Sequence, residues 1–442
     1  MLKKKKRIIG FTLLEALIGV TVFIIIATGI YEAYRSVYAL IGVTRQKITA
    51  IALVNEQLEI IRNLPYADVG IVNGLPAGKI ARNQTLIRAG IAFDITTTIR
   101  NIDDSFDGTI GGSPNDLSPA DYKLAQVDVA CSTCKQFQPF SIATYVAPKT
   151  MELSSNNGAI FVKLFDANGL PVSGATVHVV NSHVSPAIDI NETTNNAGEF
   201  ALIDVPPGNE AYEISVSKTG YSTEKTYPTT LTTPHPVKAN ATVTAQQATQ
   251  ISFSIDKLST LIVAAVDDSC VGLSEIGFQL TGTKLIATEP DTAKYSEEIV
   301  TGSDGLVENT KMEWDNYTLV PAVKDVSNYR YFANLPVYLA PDKERKEVVV
   351  ITPADAEKTY SLLVNVKDGA TNSIILDPTL TLTKDAIALP SSLDCAPTDY
   401  TLYLGLEPTI YHLVVTAPGY LPFEGDVEVS QSWQEINVVL NK

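Results

Sequence analysis

From Phe11 to Tyr31 the chain is apolar almost without a break, and Glu15 is the one charge in that run. About 21 residues of helix reach about 30 Å, the depth of a bilayer's hydrocarbon core, so the stretch predicts a transmembrane helix. Beyond it the pattern becomes one-sided. Tyr34, Val37, Tyr38, Ile41, Ile48, Ile51, Val54, Leu58 and Ile61 recur at threes, fours or their sums, while Arg45, Lys47, Glu56 and Arg62 mark the opposite face. No proline falls between Phe11 and Leu64, and Pro65 closes the pattern, which predicts a helix over 11–64.

After Pro65 the period drops to two. Residues 65–150 predict a small head with strands at "TLIRAGIAFDITTTIRNI", "YKLAQVDVAC" and "FSIATYVAP", its sheet packed on the helix. Phe93, Ile95, Thr97 and Ile99 alternate cleanly, whereas Leu124, Val127 and Val129 alternate with a slip. Strand and turn signals then continue to the end, through Asn-Gly, Ala-Gly and Pro-Gly pairs. The fold class expected is α+β, a long N-terminal transmembrane helix on an antiparallel sheet, followed by tandem all-β sandwiches.

Lys3, Lys4, Lys5, Lys6 and Arg7 precede the apolar run, and the next cation is Arg35. That asymmetry places the N-terminus in the cytoplasm and the bulk outside, at the cytoplasmic membrane or, after assembly, on the cell surface. The stretch "G-FTLLEALIGV" resembles the leader of type IV pilins and of the pseudopilins of type II secretion. The resemblance covers about the first 60 residues. It implies a leader over 1–10, cleavage by prepilin peptidase after Gly10, methylation of the new amino terminus on Phe11, and an assembly role for Glu15. In that family a free α-amino group on Phe11 of the adjacent subunit would offset a carboxylate costing about 2.5–3.5 kcal/mol in lipid. Major pilins often carry a kinking proline in this helix, and this chain has none. The rival reading is a plain anchor whose Glu15 snorkels or stays protonated.

A second resemblance begins at "NNGAIFVKLFDANGLPVSGATVHVVN" and ends at "SVSKTGYSTE". Gly169, Pro171, Gly174, Ala175, Gly198, Phe200, Pro207, Gly208, Tyr212, Gly220 and Tyr221 make it similar to the carboxypeptidase regulatory-like domain, a transthyretin-like or Cna-B-like sandwich. Weaker copies follow, and "VVTAPGYLPFEG" mirrors the end of the first. Sandwiches are therefore expected over 155–257, 258–355 and 356–442, each with its own core, joined by short linkers. Some Cna-B modules carry a Lys–Asn cross-link. Lys163 stands one residue out of that register, so no bond is expected there.

The formal charge is −16, and the basic leader masks a still more acidic remainder. No basic stripe exists beyond it, so nucleic acid is not an expected partner. Within "DDSFDGTIGGSPNDLSPAD", Asp103, Ser105, Asp107 and Gly108 have the spacing that opens a calcium loop. Pro114 occupies the place of the closing glutamate, leaving Asp116 or Asp121 to complete a site. A solvated acidic turn is the favoured reading and calcium the alternative; no other cofactor is implied.

Cys131 and Cys134 lack a second pair for zinc, which favours a local disulfide outside the cell over free thiols or longer-range pairing. The pairing of Cys270 and Cys395 stays open. His178, His183, His235 and His412 form no ligand or triad pattern, and no nucleophile elbow or phosphate loop is present. The expected function is therefore structural rather than enzymatic. It is a minor pilin or pseudopilin, partnered by prepilin peptidase, membrane lipid, other pilin subunits and the pilus or type II secretion assembly machinery, displaying sandwiches whose ligand is unknown. The alternative is a monomeric membrane-anchored binding module, for example for carbohydrate.

Overall fold

The computed structural model describes residues 12–134, 136–149, 155–267, 269–322, 329–333, 336–353, 360–375, 378–389 and 400–442. Helix α1 runs Leu13–Asn63 without interruption. It stops where expected, because a residue before proline is driven to extended backbone, and Leu64 has φ −70° and ψ 151°.

Four antiparallel strands follow in chain order, β1 (Asn83–Arg88), β2 (Ile91–Ile102), β3 (Tyr122–Ala130) and β4 (Phe140–Val146). Ala50, Leu53, Val54, Leu58 and Ile61 of α1 share one core with Phe93, Ile95 and Ile99 of β2 and Ala125, Val127 and Val129 of β3. Arg62 Nε donates to Thr144 Oγ1 on β4 at 3.0 Å.

Three details differ from the sequence pattern. The first predicted strand is a hairpin, since Ala89 and Gly90 both take positive φ and reverse the chain between β1 and β2. Strand β3 has no slip. Lys123, Ala125, Val127 and Val129 all face inward, and Leu124 points the other way. The lysine fits because its Nζ donates to the carbonyls of Val69 at 2.6 Å and Tyr66 at 2.9 Å. On α1, finally, only the last turns are covered, and Ile48 remains 62% exposed.

The rest of the chain forms three sandwiches with one wiring. In each, the first strand lies between the last strand, which runs parallel to it, and an antiparallel neighbour. Gly158–Phe165 pairs with Ala248–Ser254 and Glu199–Val205; Ser259–Val266 with Glu344–Pro353 and Leu306–Met312; Tyr360–Asp368 with Trp433–Leu440 and Thr401–Leu406. An aspartate stands at the end of each first strand or directly after it, Asp166, Asp267 and Asp368, and the three are evenly spaced along the chain. Asp166 accepts from the N–H groups of Asn168 and Leu170, Asp267 from Ser269 and Val271, and Asp368 from Ala370 and Thr371. Each aspartate thereby closes the turn that follows it.

A buried tyrosine ties each second sheet to its own loop. Tyr212 donates to Pro206 O, Tyr317 to Glu313 O at 2.7 Å and Tyr411 to Glu407 O at 3.1 Å. Gly198 and Gly305 occupy matching turns at φ +70° and +77°, where an added Cβ would lie 2.5 Å from Leu164 O and 2.6 Å from Gly272 Cα.

The sandwiches are docked as well as linked. Between the first and second, His235–Pro236 pairs with Leu285–Thr288, and Lys294 Nζ bridges Glu224 at 3.3 Å and Glu313 at 2.6 Å. Between the second and third, Ala264, Val266, Val348 and Val350 bury against Leu363, Tyr400 and Leu402. Each sandwich also has a core of its own, and this shared cluster is added to them where the strands are covered on both faces.

Removing the Tyr411 hydroxyl strands both the N–H and the C=O of Glu407, which it also accepts from at 2.9 Å. Tyr411→Phe is expected to lower the stability of the third sandwich by about 1–3 kcal/mol in denaturant melts. The same change at exposed Tyr338 is expected to cost less than about 0.5 kcal/mol.

Candidate functional site

Helix α1 is the one element among the described residues long and apolar enough to cross a membrane. Its start is a capping arrangement. Thr12 sits in extended backbone at the N-cap, its Oγ1 accepts from the Glu15 N–H at 3.3 Å, and Glu15 stands at the third helical position. Thr-x-x-Glu is the capping-box spacing, and an acid in the first turn also complements the helix dipole. The sequence reading missed this second use of Glu15, although the spacing was visible. Gly10 and Phe11 lie outside the described residues.

Within the apolar run, polar side chains are satisfied locally. Thr21 Oγ1 donates to Leu17 O at 2.8 Å and Thr28 Oγ1 to Ile24 O at 2.9 Å. Around Gly19, Gly29 and Gly42 an added Cβ would meet nothing within 4 Å, so the helix keeps open points of close approach. The uncovered apolar surface extends past one bilayer's depth, through Val37, Leu40 and Ile41 to Ile48.

The acidic loop between β2 and β3 folds differently from a calcium loop read by spacing. One carboxylate oxygen each from Asp107, Asp116 and Asp121 lie within 4.8 Å of one another. Asp103, which the spacing placed first, accepts from the Ile110 N–H through Oδ2 at 2.9 Å, and Ser105 stays on the exposed turn. The Asp103 carboxyl is pushed up to about 6, mainly by burial and further by Asp116, Asp121 and Asp107, against the pull of the Ile110 N–H. Asp121 Oδ2 accepts from the Asp104 N–H, and Asp116 Oδ1 from the Ser118 N–H at 2.8 Å.

That loop also clasps the first sandwich. Ile110 packs on Ala159 and Ile203, and Ser155 N–H donates to Leu117 O at 3.2 Å. Nearby, Glu192 lies between Arg82 at 3.5 Å and Arg100 at 3.6 Å, and burial raises its pKa despite both cations. A cleft of about 510 Å³, lined by Arg100, Asn101, Phe161 and Phe200 among others, separates the two units elsewhere.

The remaining singled-out residues stay apart. Cys131 and Cys134 are joined by a disulfide. Lys163 forms an ion pair with Glu199 at 3.0 Å. His178 meets Asp189 at 2.8 Å, His235 lies near Glu289 at 3.9 Å, and the His183 N–H donates to Asn181 Oδ1. His412 lies between Asp426 at 2.9 Å and Glu424 at 3.2 Å. Cys270 is disulfide-bonded, and Cys395 lies outside the described residues.

Residues 159–255, the first sandwich, match the family model of the carboxypeptidase regulatory-like domain. No curated protein matches the chain. Among solved structures, the TIE protein of Bacillus anthracis aligns over 82% of this chain and 74% of its own, with 13% identity and a TM-score of 0.19. A streptococcal ancillary pilin aligns over 65% of this chain and 99% of its own, with 14% identity and a TM-score of 0.18. The minor pilin of Streptococcus agalactiae aligns over 45% and 98%, with 12% identity and a TM-score of 0.22.

The acids beside His412 raise its pKa above 6.5, the Asp426 hydrogen bond most of all. The folded state then holds its proton more tightly than the unfolded chain, so this contribution is complete below about 6.5 and fades as pH rises through the folded value. The third sandwich is expected to melt at lower temperature at about pH 8 than at about pH 6, and His412→Gln to flatten that difference.

Proposed function

We propose that this chain is a membrane-anchored structural subunit, a minor pilin or pseudopilin of a type IV pilus-like filament, that carries three docked sandwiches outside the cell. The observation that carries this reading is the surplus of uncovered apolar helix. From Leu13 to Ile48 the exposed stretch measures about 54 Å, whereas a bilayer core takes up about 30 Å. The excess includes Tyr34, Val37, Tyr38, Leu40 and Ile41, all more than half exposed. A monomeric anchor would leave these in water; packing against like helices covers them.

Processing after Gly10 and a free, methylated Phe11 amine belong to this reading, with prepilin peptidase and the assembly machinery as partners. The Cys131–Cys134 disulfide supports an oxidising, extracytoplasmic setting for the head. In the assembled state the neighbour's Phe11 amine offsets the Glu15 charge.

Because Glu15 also fills the third position of the turn that Thr12 caps, the informative substitution keeps that position's shape and removes only the charge. Glutamine serves equally at that position. Glu15→Gln is expected to leave membrane levels unchanged while reducing cross-linking to other helical subunits in native membranes at least about tenfold, as expected if about 1.4 kcal/mol or more is lost. Unchanged cross-linking would favour the monomeric binding module.

A further inference from the structure

The acidic loop holds three carboxylates, those of Asp107, Asp116 and Asp121, close together. Asp107 and Asp116 form no ion pair with a lysine, arginine or histidine among the described residues. Oxygens from Asp107, Asp116 and Asp121 all lie within 4.8 Å of one another, close enough to share one ion with ligands at about 2.3–2.6 Å, the calcium range. A second observation points the same way. Asp116 is only 8% exposed, and its Oδ2 is buried with no hydrogen-bond donor among the described residues. Burying an anionic oxygen without a donor is costly, and a bound cation removes the cost.

We propose that Asp107, Asp116 and Asp121 bind one calcium ion, and that the ion fixes the loop which clasps the head to the first sandwich. All three side chains offer hard oxygen donors, and among the described residues neither histidine nor cysteine joins the group, which favours calcium over zinc. The backbone here is irregular loop, which suits calcium's flexible geometry better than the strict octahedron of magnesium. The set keeps Asp107, takes both Asp116 and Asp121 from the two completing candidates, and leaves out Asp103 and Ser105. The clasp follows from the same loop: Ile110 is buried against Ala159 and Ile203, and Gly111 passes so close to Ala248 that an added Cβ would come within 2.9 Å of its Cβ. None of this depends on filament assembly.

The test uses the full chain in detergent micelles, stripped with chelator and titrated with calcium chloride by calorimetry. One saturable site with a dissociation constant of about 10⁻⁴–10⁻³ M, the range of extracellular modules, is expected. Added calcium is also expected to slow amide exchange in 103–121 and in 158–161. Asp107→Asn is expected to weaken binding at least about tenfold, a loss of about 1.4 kcal/mol. Its side chain is exposed, so the calcium-free melting curve should not move. Asp116→Asn is the second variant, expected to weaken binding while stabilising the calcium-free loop by removing a buried charge. The proposal is overturned if the wild type shows no saturable binding up to about 10 mM calcium, above the range for such sites. It is equally overturned if Asp107→Asn binds as tightly as the wild type, or if magnesium binds as well as calcium.

Discussion

Between Leu13 and Ile48 the long helix carries apolar side chains that nothing else in the described chain covers, and such surface is driven out of water. A bilayer removes about 20 residues of it and no more. The remaining turns, from Tyr31 to Ile48, continue as straight helix with no break at which to fold back onto the head. Only from Ala50 onward does the sheet take over, with Leu53, Val54, Leu58 and Ile61 in its core. In the proposed reading the helix is thus divided by what covers it: lipid first, then a surface that other helices take up, then its own head.

Downstream, stiffness comes from docking. The head meets the first sandwich through Ile110, Glu192 and the two arginines; Lys294 spans the next junction; the last buries valines and leucines from both sides. Glu347 lies within reach of that last junction with no exposed surface, and the Tyr400 hydroxyl contacts it at 3.4 Å. Arg345 on the same strand lies 3.4 Å from it, and removing one member of a buried pair costs more than the pair itself contributes.

Much of this architecture was legible in the residues. An unbroken apolar run, an absence of proline and then Pro65 bracket the helix to within two residues. Glycine and tyrosine positions marked the first sandwich, and the family match over 159–255 agrees. What stayed hidden was hidden for physical reasons. The runs "LIVAAV" and "VVVI" look like ordinary core strands, yet they are covered on both faces, and the second cover comes from a different sandwich. Lys123 breaks an alternation that the backbone keeps, because carbonyls far away in sequence accept its ammonium group. In the acidic loop, spacing opened on Asp103 and Ser105 and left Asp116 or Asp121 to complete a site, whereas the fold groups both of these with Asp107 and turns Asp103 toward a backbone amide.

The central claim is that the exposed helix beyond the membrane is covered by other helices. A photo-reactive residue placed at Ile41, outside the bilayer span and 59% exposed, reads this directly in native membranes. The account predicts adducts with the corresponding region of neighbouring helical subunits. Adducts with lipid and water alone would contradict it.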